Sequence, residues 1–175
     1  MTKEKILELQ KKVFCTIEME NKEELIPTVL KSADDSFPID VLSMIVYDLG
    51  NEESECMGEF AFLNIDEQEE LQTLTGVVTL TDNISMEHFG ELLEAINALN
   101  YYIPYGNFSV SRSDKNLVYK ISSPIPVSLS EDQLYAQVEL FISNSFLMVD
   151  KYIDILFDIA SGTKKADIVY EITGV

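Results

Sequence analysis

Residues 130–162 read SEDQLYAQVELFISNSFLMVDKYIDILFDIASG, and the reading of this run decides the fold. Ser130 with Gln133 three residues on makes a capping box, in which each side chain satisfies a backbone N–H that a helix start leaves unpaired. Gly162 is a stop, because glycine readily takes the left-handed conformation that closes a helix. A helix is therefore predicted from Glu131 to about Ser161. Leu134, Val138, Phe141, Ile142, Met148, Val149, Tyr152, Ile153, Leu156 and Ala160 form its main apolar stripe. Phe146, Leu147, Ile155, Phe157 and Ile159 widen that stripe, and Asp150, Lys151, Asp154 and Asp158 leave only a narrow polar ribbon. A helix apolar around most of its circumference must be covered on more than one side. A sheet is one cover. The first helix of the chain, or a second copy of the chain, is the other.

Working back from that helix, SPIPV (123–127) is expected to break a sheet, since proline donates no ladder hydrogen bond. NFSVSR and NLVYKIS flank SDKN and read as a β-hairpin. Ser85 is expected to cap a helix through about Leu99, with Met86, Phe89, Leu92, Leu93, Ile96 and Leu99 recurring at three and four and Asn100 closing it. The segment LNYYIPYGNF (99–108) then crowds Tyr101, Tyr102, Tyr105 and Phe108 around Pro104 and Gly106. It reads as a seal at the corner between helix and hairpin, with the rim of a partner groove as the functional alternative. Three strands, 39–49, 56–65 and 71–81, are joined by the polar turns GNEESE and DEQEE, which implies an antiparallel meander. Phe60, Phe62 and Ile65 compete for its core face. At the start, Thr2 caps a helix over 3–13, FCTIEME (14–20) alternates like a strand, and Pro27 places a turn before an edge strand. ADIVYEIT (166–173) alternates and is expected as a further edge strand.

The 175 residues fit one domain spanning 1–175, with 46% apolar content consistent with a packed globule. The net charge is −19, and no Lys or Arg occurs between Lys31 and Arg112, a stretch with sixteen acids. Such a segment repels phosphate backbones and anionic membranes, so no nucleic acid and no membrane is expected as a partner. It serves solubility, or it attracts a basic partner. No apolar run reaches about 18 residues, so no membrane span is expected. Cys15 and Cys56 form no CxxC, and the charged start lacks the apolar core of a signal peptide, which points to a reduced, cytoplasmic protein.

Catalytic chemistry finds little support. His88 is the single histidine, placed at a helix start where the dipole disfavours its charged form. No nucleophile–base spacing, phosphate-binding glycine motif or calcium loop occurs. No catalytic residue, metal ligand or cofactor is expected.

LLEAINALN, YGNFSV, NLVYKISSPIPV and the capped long helix together resemble YbjN-like proteins, which share the type III secretion chaperone-like fold. The resemblance covers about residues 85–161, with the Asn97 and Asn100 pair before the hairpin as its most recognisable part. It implies a small acidic α+β protein, often dimeric and without catalytic residues. Secretion chaperones of this fold bind extended client segments on apolar surface, and the YbjN branch is described as regulating sensory transduction. The expectation is a non-enzymatic protein-binding or regulatory module acting as a homodimer. The alternative is an acidic inhibitor or immunity-type protein that blocks a basic toxin or enzyme. Phe146, Val149, Ile153, Phe157, Tyr101, Tyr102 and Tyr105 are the candidate partner or dimer residues.

Overall fold

The computed structural model describes residues 2–34, 38–63 and 70–174. Ile65, the acidic turn at 66–70 apart from Glu70, and part of the loop 33–38 lie outside the described residues. In chain order the elements are α1 Lys3–Glu23, β1 Thr28–Lys31, β2 Val41–Leu49, β3 Ser54–Leu63, β4 Leu71–Thr81, α2 Phe89–Tyr102, β5 Asn107–Val110, β6 Leu117–Pro126, α3 Glu131–Ala160 and α4 Asp167–Thr173. The strands pair antiparallel throughout, in the order β1-β2-β3-β4-β6-β5. Meander and hairpin thus join into one six-stranded sheet beside a long C-terminal helix, the α+β architecture expected.

Strand alternation decides which face takes the helices. On β4, Gln72, Leu74, Gly76, Val78 and Leu80 are buried while the threonines between them are half-buried, the period of two that a pleated strand imposes. The inward face meets all three long helices. Phe62 of β3 lies 5.3 Å from Phe14 of α1. Phe60 lies 6.2 Å from Phe141 and 6.1 Å from Phe146 of α3. Asn100 of α2 holds Phe108 of β5 through two hydrogen bonds, 2.9 and 2.8 Å. Phe60 is seated by two glycines. Gly76 is its partner across the ladder, and a Cβ at Gly76 or Gly58 would come within 2.8 Å of its ring.

Helix α3 follows its sequence signals closely. Ser130 and Gln133 form the capping box, with N–H···O distances of 3.0 and 3.4 Å, and Gly162 adopts φ +79°. Its surplus apolar girth is covered within the chain, by α1 on one side and α2 on the other. Phe146, Ile155 and Ile159 are buried, Phe157 packs partly buried against the core, and Leu147 stays 65% exposed. Two residues of its polar ribbon have a structural task. Asp150 accepts from the Gly50 N–H at 2.8 Å, and Asp154 accepts from the Asn51 N–H and side-chain amide, both at 2.8 Å. They bolt the β2–β3 turn to the helix.

Several local expectations are corrected. FCTIEME is not a strand: α1 runs on through it, because Ile6, Gln10, Val13, Phe14 and Ile17 share one buried helical face. Burial of Phe14 and Ile17 outweighs the strand preference of the β-branched residues. Helix α2 starts at Phe89, not after Ser85, whose hydroxyl closes a local turn by accepting from the Glu87 N–H. It runs past Asn100 to Tyr102, and it leaves Leu93 exposed. SPIPV does not break the sheet, since β6 continues to Pro126 against β4. Val127 donates to Glu70 of the β4 side, so Pro124 and Pro126, of opposite parity, turn their missing donors to the edge that the short β5 leaves open. ADIVYEIT is helix α4, not an edge strand. Val169 is buried in it, Gly174 ends it at φ +76°, and Glu91 of α2 accepts from the Ala166 N–H at 3.0 Å.

Cys56 lies on the inward face of β3, and burial, with Glu55 beside it, pushes its thiol up to about 12. Cys15 is half-buried. A disulfide reagent at mildly alkaline pH is expected to modify one thiol in the native protein and both after denaturation. Prompt modification of both in the native state would mean that the inward face opens readily. No helix among the described residues is long and apolar enough to cross a membrane.

Candidate functional site

A groove of about 550 Å3 runs between the C-terminal half of α1 and the N-terminal half of α3, above β2. Its floor is apolar: Ile17 from α1, Met44 and Val46 from β2, and Ile142 and Phe146 from α3. Its rim is acidic: Glu20 and Glu23 from α1, Glu24 at the C-terminal cap of α1, and Glu139 from α3. No Lys, Arg or His is among the described residues that line it.

Local sequence builds each wall. On α3, Tyr135, Glu139, Ile142 and Phe146 follow at spacings of three and four and so share one side of the helix. On α1 and its C-terminal cap, Ile17, Glu20, Asn21 and Glu24 do the same. The groove stays open because β1 pairs only with Val41–Met44 of β2, leaving Val46 beyond its end. Asn21 pins the corner by donating to Thr28 Oγ1 at 3.0 Å. Tyr135 ties the two helices at one end, donating to Glu20 at 2.6 Å. Its hydroxyl is pushed up to about 12, first by that hydrogen bond, then by burial and the carboxylates Glu139, Glu20 and Glu24.

The end of α1 adds an unusual feature. Ile26 donates to the Asn21 carbonyl at 2.8 Å and Leu25 to that of Lys22 at 3.3 Å, the paired bonds of a Schellman stop. The position that glycine usually fills is Leu25, at φ +63°. Leu25 stands between two lining residues and is 87% exposed.

Such a site can desolvate an apolar side chain on its floor while its carboxylates favour cations around it. It offers no metal cage: among the described residues no three His, Cys, Asp or Glu are placed to hold an ion.

The sequence-predicted residues divide between places. Phe146 lines this groove from the core. Val149 and Ile153 are fully buried and present no surface to a partner, and Phe157 is partly buried. Tyr101 is 83% exposed and meets the half-buried Tyr102 edge to face. Tyr105 is exposed and lines a separate, uncharged groove of about 410 Å3 with Ile121, Ile125, Leu140 and Phe141. The 101–108 corner itself is tightly held. Tyr119 donates to the Tyr105 carbonyl at 2.6 Å, and Gly106 turns at φ +63° against it. His88 precedes α2 and abuts Gly162, the stop of α3.

Glu20, Glu23, Glu24, Tyr135 and Glu139 were missed as site residues. Their signal existed: a helix reading of 14–24 places three of these glutamates at one helix end. Reading 14–20 as a strand scattered them. No protein-family model matches the chain, and no curated protein matches it.

Proposed function

We propose that this chain is a non-enzymatic binding module that takes up a segment of another protein in the α1–α3 groove. The segment carries an apolar side chain flanked by Lys or Arg. The observation that carries this reading is an apolar floor ringed by four glutamates with no cation among the described residues that line it, in a chain of net charge −19. The charge steers a basic segment in, and the floor holds it. The reading accords with the client binding that a YbjN-like, chaperone-like resemblance implies. The proposed setting is the cytoplasm, where thiols such as those of Cys15 and Cys56 stay reduced.

The test is fluorescence anisotropy with labelled peptides of one length. One carries Leu between Lys and Arg, one Ser between the same cations, and one Leu between Asp and Glu. Only the first is expected to bind well. Replacing Glu23, Glu24 and Glu139 together by Lys is expected to weaken it about 30-fold or more, since each exposed pair contributes up to about 1 kcal/mol. Equal binding of all three peptides, or no loss in the triple variant, would falsify the groove reading.

A second reading is favoured by the sixteen acids between Lys31 and Arg112: an inhibitor or immunity-type protein whose wider acidic surface covers a basic toxin or enzyme. It predicts binding to a folded basic protein that weakens steeply with salt and ignores the groove triple variant.

A further inference from the structure

The stop of α1 carries a residue that folding alone disfavours. Leu25 sits at φ +63°, a backbone that is costly for an L-residue and open to glycine. It is also 87% exposed, the highest value of any large apolar residue among those described. Glycine there would remove the strain and the exposed apolar surface together. The bonds that end the helix would survive the change, because both are donated by backbone N–H groups, Leu25 to Lys22 and Ile26 to Asn21. The other non-glycine residues described at positive φ are Asp48, Glu53 and Lys115, whose charges suit a solvated turn. Leu25 is the apolar exception. Its neighbours Glu24 and Ile26 both line the α1–α3 groove, and Ile26 is half-buried while Leu25 is left outside.

We infer that Leu25 is a second anchor of the groove and packs on another apolar side chain of the segment bound there. This rests on the groove reading and names its ligand more closely. Backbone strain kept at an exposed position is stored where a ligand uses it, and an apolar side chain at the lip gains only when something covers it. Charge selects the occupant. Along α1 and its cap, Glu20, Glu23 and Glu24 lie between the floor residue Ile17 and Leu25. A chain that passes from one apolar contact to the other crosses these carboxylates and is favoured when it carries Lys or Arg there. Ile17 and Leu25 stand about two helical turns apart, roughly 12 Å at 1.5 Å per residue. An extended chain covers that distance in about four residues, and side chains four apart emerge on the same side of it. The ligand is therefore a segment with two apolar residues at i and i+4 and Lys or Arg between them.

Fluorescence anisotropy of the full chain tests this with three labelled peptides. One carries a single Leu between Lys and Arg, one adds a second Leu four residues on, and one adds it three residues on, where an extended chain turns it to the opposite side. The i+4 peptide is expected to bind the parent about tenfold more tightly than the single-Leu peptide, for partial burial of one more leucine, and the i+3 peptide to gain little. Leu25→Gly is expected to abolish the tenfold gain, to leave the single-Leu peptide unchanged, and to keep a urea midpoint at or above that of the parent. Leu25→Asn, a polar residue that also tolerates the left-handed turn, is expected to bind as Leu25→Gly does. Should the second Leu bring no gain, bring the same gain at both spacings, or keep its gain in both variants, the role of Leu25 is overturned while single-Leu binding still upholds the groove. A marked loss of stability in Leu25→Gly assigns the leucine to the fold and overturns it too. If no peptide binds the parent, the groove reading fails and takes this inference with it.

Discussion

Phe60→Ala is expected to cost about 3–5 kcal/mol of folding stability, the range for removing a fully buried phenylalanine. The ring is wholly inaccessible and lies edge-on to Phe141 and Phe146, so its loss opens a cavity between the middle of the sheet and α3. Urea denaturation gives the figure directly. The glycines make the prediction sharper. Gly76→Ala alone puts a methyl 2.8 Å from two ring atoms of Phe60 and is expected to cost about 1–3 kcal/mol through overpacking. Combined with Phe60→Ala, the same methyl is left with Phe141 as its one close neighbour, at 3.1 Å, and its cost should fall well below that of Gly76→Ala alone. Simple additivity of the two changes would show that Gly76 is not there to seat the ring.

Gly106→Ala carries the second large effect, about 3 kcal/mol, from a left-handed backbone imposed on an L-residue together with a steric clash. Its Cβ would lie 2.6 Å from the Lys120 carbonyl oxygen and clash with the Tyr119 hydroxyl, displacing the bond that Tyr119 donates to Tyr105. The same corner sets an alkaline limit. Burial pushes Tyr119 up to about 12, against about 10 for tyrosine in an unfolded chain. A folded value above the unfolded one means the contribution is fully present below about pH 10 and is lost as pH rises toward 12. Tyr119→Phe should lower stability at neutral pH and reduce that alkaline loss. Urea midpoints taken from neutral pH to about pH 11 check both statements. A Gly106→Ala protein as stable as the parent would show that the corner relaxes freely.

Several elements were legible because their signals are short-range. The capping box and Gly162 bound α3 without reference to anything distant. The meander strands carried β-branched runs between polar turns, and the hairpin carried its own turn. Where local signals competed, the reading failed. FCTIEME fits a period of two as well as a helical face, and burial of Phe14 against Phe62, with Ile17 on the same face, tips it to helix. ADIVYEIT alternates too, but Glu91 and Gly174 cap it as a helix. The prolines of SPIPV seemed to forbid a strand, and only the short reach of β5 makes an edge where they are harmless.

The site divides in the same way. The excess of carboxylates, the single histidine and the apolar breadth of α3 are properties of the sequence by itself, as are the caps, the turns and the strand periodicity. They depend on residues within a few positions of one another, or on composition. The sequence could not say what covers α3, because α1 and a second copy satisfy the same apolar stripe equally well. The tertiary structure decided that α1 and α2 supply the cover. It thereby buried Val149 and Ile153, and it brought Glu20, Glu23 and Glu24 against Glu139 across more than a hundred residues of chain. Burial and long-range charge depend on which faces meet, and that choice is a property of the whole packed chain.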